Sequence, residues 1–372
     1  MSESITVGVV GGYGATGKVV VSELWNSTNW QIRIGGRDPA QAEALVAQFD
    51  QRVSAVQVNV LNANSLDHYC RQCSIVVNCG GPVCLLQDRV AQSALRNRCH
   101  YIDPAGMSFV KERMLPHDRQ IRDLGLCFAV SAGWMPGLSE ALPVYAHAVA
   151  RTKMDVLDSV IVYFGDSGQW SANALRDAAF FLRHRGLRLP TYCRKGKWTR
   201  AKVAAASSKA VLGSPVGSRL FSMISHDELM EVASRLNDCD VLTYSYLSGL
   251  RIALAGTLIM ALPLPLDLSA RLLRFGFRRN PLPVGGFVAV KVQGQSAKRS
   301  LVFTAQIVYD KHRDYWIHGL VLATVARMVL ERRSTHPGVH FLSEAVDPSA
   351  LMAELRNAGV EQTESLDPAS LL

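Results

Sequence analysis

From residue 5 onward the chain alternates short apolar, β-branched runs with stretches whose apolar positions recur at helical spacing. Runs at 5–10, 31–35, 53–58, 75–78, 100–102 and 126–130 read as strands. Helices are read at 18–25, 40–49, 65–71 and 87–96 and within 107–124. A strand that is apolar along its length has both faces covered, and regular alternation with helices means a parallel sheet between two helical layers. Past residue 133 the pattern changes: a long strand at 155–164, a helix at 171–185, a strand at 241–247, and paired runs at 287–293 and 301–309. Long strands joined by a hairpin predict a mixed or antiparallel sheet. Helices at 315–332 and 348–357, the latter closed by Gly359, complete the chain. With 372 residues, too many for one ordinary core, the expected division is 1–134, 135–318 and 319–372, the last returning to the first domain.

The first strand-to-helix junction carries the clearest chemistry. The run from Ile5 to Val10 breaks into Gly11-Gly12-Tyr13-Gly14-Ala15-Thr16-Gly17. In such a turn Gly12 allows the chain to reverse, Gly14 lets backbone N–H groups approach a pyrophosphate, and Gly17 lets the helix pack on the strand. Tyr13, Ala15 and Thr16 belong to the same cofactor-binding set. The fold class is therefore α/β: an N-terminal Rossmann domain with a doubly wound parallel sheet, followed by a second α+β domain. A site selective for NAD places an acid at the end of the second strand, against the ribose 2′-hydroxyl. Here that strand ends in Gly36-Arg37-Asp38-Pro39, so Arg37 is a candidate clamp for the 2′-phosphate of NADP. Asp38 could turn inward instead, but Asp before Pro is a helix start signal.

Composition narrows the setting. An apolar fraction of 48% with 19% charged residues describes a globular chain. No secretion signal is read at the start, and the eight scattered cysteines are expected as reduced thiols, which points to a cytoplasmic enzyme. Cys70 and Cys73 form a C-x-x-C without a second pair at zinc spacing, so they read as structural and no metal is expected. The net charge of +9 is spread over both halves without a nucleic-acid motif, and an anionic cofactor or substrate accounts for part of it. Residues 252–266 are uncharged and flanked by arginines, yet shorter than the ~20 residues of a membrane span and interrupted by Pro263 and Pro265. The segment is read as a buried helix or a shielded part of a homodimer interface, with an apolar substrate lining or a membrane-surface contact as alternatives.

Four segments, GGYGATG at 11–17, Val-Val-Asn-Cys-Gly-Gly-Pro at 76–82, His-Tyr-Ile-Asp at 100–103 and Gly-Trp-Met-Pro-Gly at 133–137, resemble in order and spacing the saccharopine dehydrogenase and saccharopine reductase family. The resemblance covers the first 140 residues and is looser beyond, where Gly-Gln-Trp-Ser at 168–171 and Glu344-Ala-Val-Asp-Pro-Ser carry it. It implies NADP as cofactor and a central domain that binds substrate and pairs two subunits. It also implies an activity that makes or breaks secondary amines by reducing C=N bonds. Cys79, Gly80, Gly81 and Pro82 would pass under the nicotinamide ribose, while the loop from Trp134 through Pro136 to Gly137 would border the ring. One departure matters. The family's acidic turn after Tyr-Ile-Asp is here the apolar Ala105-Gly106-Met107, which favours a less cationic substrate.

An acid near an imine nitrogen helps to keep it protonated. Asp103, at the end of a sheet strand, is one candidate, with bonding of its own loop as the competing role. Asp166, Trp170 and Ser171 form the other, in which Asp166 ends a strand and Ser171 caps the next helix beside a potential anion site. Cys79 and Cys127 read as small core residues, and His100 and Tyr101 as core or surface. The expected function is NADPH-dependent reduction of an imine in an amino-acid-derived or natural-product substrate, as a biosynthetic step. The alternatives are reduction of a C=C or C=O bond in a lipid-like substrate and an NADP-binding scaffold without turnover. No nucleic-acid partner is expected and membrane contact is disfavoured.

Overall fold

The computed structural model describes residues 5–167, 170–185, 191–202, 205–246, 250–277, 282–310, 313, 315–333 and 335–369. They form two compact units, one from the residues up to Leu138 with Tyr315–Leu355, the other from Ser139–Asp314 with the segment from Arg356.

In the first unit the chain runs β1 (Thr6–Val10), α1 (Ala15–Ser27), β2 (Gln31–Gly36), α2 (Pro39–Val46), β3 (Val53–Gln57), α3 (Ala63–Cys70), β4 (Ile75–Asn78), α4 (Val83–Leu86) and α5 (Arg89–Arg96). It continues through β5 (His100–Ile102), α6 (Met107–Met114), α7 (Asp118–Asp123) and β6 (Cys127–Val130). The strands make a seven-stranded sheet in the order β15-β6-β5-β4-β1-β2-β3, where β15 is Gly338–Phe341. Every pairing is parallel. In the register Val7↔Ile32 and Val9↔Val77 the central strands stack apolar side chains that water does not reach, which accounts for their unbroken hydrophobic pattern. All eight cysteines are free. The Cys99 thiol donates to the carbonyls of Cys70 and Cys73, at 3.1 Å each, so the C-x-x-C lies in the core of this unit.

The second unit holds α8 (Leu138–Arg151), β7 (Val156–Asp166), α9 (Ala172–Arg185), β8 (Thr191–Arg194), β9 (Lys197–Arg200), β10 (Ser207–Leu212), β11 (Gly217–Met223), α10 (Asp227–Arg235) and β12 (Asp240–Tyr246). Then follow α11 (Leu250–Ala261), α12 (Leu266–Phe277), β13 (Gly286–Ser296) and β14 (Arg299–Tyr309). Its nine-stranded sheet is mixed, with β12 and β7 parallel and β7, β13 and β14 antiparallel. The hairpin is tighter than its sequence suggests. Pairing continues to Ser296↔Arg299, because Ala297 and Lys298 take positive φ of 48° and 65°, the backbone of a two-residue turn that matches strand twist.

Two stretches correct the reading of the sequence. Strands β8 to β11 were not anticipated, since in β10 and β11 the buried positions are mainly Ala210, Leu212, Phe221 and Met223 and the rest are polar or exposed. The segment from 319, expected as helices alone, also supplies β15 to the first sheet and β16 (Gln362–Pro368) to the second. With two acids and a proline, β16 is a charged edge strand with no apolar run to announce it. α13 (Trp316–Leu330) precedes β15, and α14 (Leu342–Ala345) and α15 (Pro348–Asn357) lie between β15 and β16.

Candidate functional site

The positive φ at the end of β1 belongs to Gly11, at 71°, rather than to Gly12. Its N–H donates to the Gly35 carbonyl at 2.7 Å, and the Gly14 N–H donates back to Gly11 at 2.9 Å, which closes the turn. A Cβ on Gly17 would stand 2.3 Å from the Gly11 carbonyl oxygen, so only glycine lets α1 start this close to the strand. Gly14 sits at the N-cap of α1 without a side-chain cap, and no acid occupies the first turn. That end of the helix therefore presents its N–H groups and positive dipole, the arrangement that suits a diphosphate. Tyr13 folds over the end of β2, where a Cβ on Gly36 would stand 2.2 Å from its ring, and its hydroxyl accepts from the Asp38 N–H at 3.2 Å. Asp38 caps α2 as expected, accepting from the Gln41 N–H at 3.2 Å and its side-chain amide at 2.6 Å. These bonds hold its carboxyl below the usual range. Its acid is thus spent on the helix start, and the exposed Arg37 is the charged side chain beside it at the strand end.

The loop after β4 lies against the glycine turn: a Cβ on Gly11 would be 2.9 Å from the Gly80 nitrogen. Cys79 N–H donates to Val10 O at 2.8 Å. Asn78, which sequence reasoning passed over, organises this loop by accepting from the Gly80 N–H at 3.1 Å while its amide donates to the Tyr101 hydroxyl at 3.3 Å. Tyr101 is thereby a buried support of the loop rather than plain core. Gly81 and Pro82 lead into α4. Burial, with the negative charge of Asp103 nearby, pushes the Cys79 thiol up, and burial pushes Cys127 up to about 12. Neither is a nucleophile at neutral pH.

Asp103 follows β5 and is buried. Its Oδ1 accepts from the N–H groups of Ala105 at 3.0 Å, Ser131 at 3.2 Å and Gly106. It thus ties the loops after β5 and β6 together, while Oδ2 accepts no hydrogen bond among the described residues. Burial raises its pKa to about 6, against the lowering effect of the Ser131 and Gly106 N–H groups. The loop from Gly133 to Gly137 folds on itself, since a Cβ on Gly137, at φ 131°, would lie 2.2 Å from the Gly133 carbonyl oxygen. Trp134 and Pro136 are buried within it. Trp134 N–H donates to Nδ1 of His318 at 3.3 Å. Burial lowers the His318 pKa to about 4, and a ring that accepts at Nδ1 carries its proton on Nε2. The next residue, Gly319, lets α13 touch α1: a Cβ there would be 2.4 Å from Val19 Cβ and 3.0 Å from the Thr16 carbonyl oxygen. His318 and Gly319 were missed, although a glycine inside a strongly apolar helix signals close packing.

In the second unit Asp166 accepts from Trp170 Nε1 at 3.0 Å and from the Tyr309 hydroxyl at 2.9 Å. Ser171 Oγ accepts from the Ala174 N–H at 3.2 Å, as the cap of α9. Asp166 and Trp170 are thus bonded to each other, with Ser171 next in the chain at the start of α9; Gly168 and Gln169 of the same motif lie outside the described residues. His147, Asp238 and Cys239 place potential ligand atoms within 4.8 Å of one another, but Arg151 pairs with Asp238 at 3.3 Å and burial holds the Cys239 thiol up near about 12.

A glycine turn on an uncapped helix, a basic strand end and glycine-bearing loops at the carboxyl ends of parallel strands define a dinucleotide-binding domain. Residues 7–128 match the family described as "Saccharopine dehydrogenase NADP binding domain". The solved structure of apo histidine-tagged saccharopine dehydrogenase (L-Glu forming) from Saccharomyces cerevisiae shares the fold, with a TM-score of 0.68 at 15% identity over 97% of this chain and 100% of that one. A protein described as "Lipid droplet localized protein" from Caenorhabditis elegans is 26% identical over 137 residues, which are 34% of this chain and 32% of that protein. The chain thus matches about a third of that relative's length. No helix among the described residues is long and apolar enough to cross a membrane.

Proposed function

We propose that the protein is an NADPH-dependent oxidoreductase that reduces a C=N bond in an amino-acid-derived or natural-product substrate, as a biosynthetic step. The observation that carries the cofactor part of this reading is the α1 N-terminus, free of side-chain cap and acid, beside an exposed Arg37 whose acidic neighbour is engaged in capping α2. The backbone from Gly12 to Gly17 would hold the diphosphate and Arg37 the 2′-phosphate. Cys79 to Pro82 would support the ribose of the reactive end, and the loop carrying Trp134 and Pro136, pinned by His318, would set its depth. NADPH supplies the hydride when bound. Asp103 Oδ2 is the atom at which this domain can hold a proton, because Oδ1 is committed to three backbone N–H groups. Asp166, Trp170 and Ser171 form the corresponding candidate in the second unit, for orienting substrate. A cytoplasmic location and a homodimer belong to the same reading and rest on the sequence.

A second reading, reduction of a C=C or C=O bond in a lipid-like substrate, is favoured by the apolar Ala105-Gly106-Met107 turn. The description of the C. elegans relative as lipid-droplet localized points the same way. NADPH consumption with paired imine and enoyl or ketone substrates separates the two readings. The cofactor assignment is tested by titrating NADPH and NADH into wild type and Arg37→Ala. The wild type should prefer NADPH, and the variant should lose about 1.5–3 kcal/mol of that preference, roughly ten- to a hundred-fold. Equal wild-type affinities would sink the assignment.

A further inference from the structure

The helix pair α11 and α12 is apolar on two sides. Inward, Ile252 and Ile259 of α11 and Ala270, Leu273 and Phe277 of α12 belong to a buried cluster with Leu175 and Ala179 of α9, and Ala255 of α11 is buried as well. Outward, Leu254, Leu258 and Leu262 follow one another at four-residue spacing, so they share a face. Leu254 is 53% exposed and Leu258 42%. On α12, Leu268 and Phe275 are exposed too. The Arg251 guanidinium lies over the Phe275 ring at 5.5 Å and so joins the two outward surfaces.

Charge identifies what suits this face. Around it stand Arg251, Arg271 and Arg274. The acid of the pair, Asp267, is already bonded to Arg176 at 2.7 Å. An apolar surface rimmed with guanidinium groups matches the boundary between phosphate headgroups and acyl chains. A second copy of the same face matches it poorly, because a two-fold contact sets like-charged rims against each other. Each helix has 12 residues, about 18 Å at 1.5 Å per residue, against the ~30 Å of a hydrocarbon core. We propose that the outward face of α11 and α12 docks the protein, in the plane of the interface, on an anionic phospholipid surface. The expected shielding of residues 252–266 by a second subunit is replaced by shielding on lipid.

The test is flotation of the full-length chain with phosphatidylcholine vesicles, with and without phosphatidylserine. Binding should require phosphatidylserine and weaken with salt. Arg271→Gln and Arg274→Gln should each reduce it roughly fivefold, and Leu254→Ser with Leu258→Ser at least about tenfold. Circular dichroism and melting of these surface variants should match wild type, which separates lost docking from lost folding. No flotation of the wild type, or unchanged flotation of the leucine variant, overturns the proposal. So does a wild-type dimer that the leucine variant dissociates, since that would assign the face to a second copy.

Discussion

Helices α11 and α13 are nearly equal in apolar content and opposite in fate. In α13 eleven of the fifteen residues from Trp316 to Leu330 are buried, on every side of the helix. In α11 the buried residues include Ile252, Ala255 and Ile259, on the side toward α9, while Leu254 and Leu258 face outward. Their glycines repeat the contrast. A Cβ at Gly319 would strike Val19, whereas one at Gly256 would meet nothing within 4 Å. Hydrophobicity states only that a helix avoids water; what it meets depends on the neighbours that the fold supplies.

The contrast can be broken most sharply by truncation. Leu322→Ala in α13 should cost about 2–5 kcal/mol, as expected for a cavity in a closed core, and Leu258→Ala in α11 within about 0.5 kcal/mol, as for a surface position. Urea unfolding of both variants reads the difference, and equal losses would mean that α11 is covered in solution. Acid sharpens it next. His318 at the start of α13 takes its proton near about 4 in the fold and near 6.5 when unfolded. The unfolded chain therefore binds more protons between those values, and stability should fall as pH drops from 6.5 toward 4. The loss should be on the order of 2 kcal/mol, below the full linkage value because the ring is partly exposed. His318→Asn, which keeps an acceptor for Trp134 N–H, should flatten that limb of the profile. A comparable effect is expected from Gly319→Ala, about 1–3 kcal/mol of overpacking against α1, with weaker NADPH binding because Thr16 lies at the same contact. Gly256→Ala should do the reverse, stabilising by about 0.5–1 kcal/mol through helix propensity. Thermal melts with and without NADPH would check both glycines.

Asp103 and Asp166 show how far residues speak for themselves. Both were legible as acids at strand ends, but neither sequence neighbourhood announces that Oδ1 of Asp103 is committed to three N–H groups or that Tyr309, 143 positions on, bonds Asp166. His318 was illegible for the same reason, since its partner Trp134 is 184 residues away. Asp38 was legible because its role is completed within three residues.

The sequence by itself determined the local features: the alternating strands and helices of the first unit, the glycine turn, the Asp38 cap and the basic strand end. Each is set by backbone sterics or hydrogen bonds within a few residues. Tertiary structure alone decided which glycine takes the positive φ and that β16 joins the second sheet. It also decided that α13 closes on α1 and that α11 keeps a bare apolar face. These outcomes depend on long-range pairing and on the space left between packed elements, and no local pattern of side chains encodes that space.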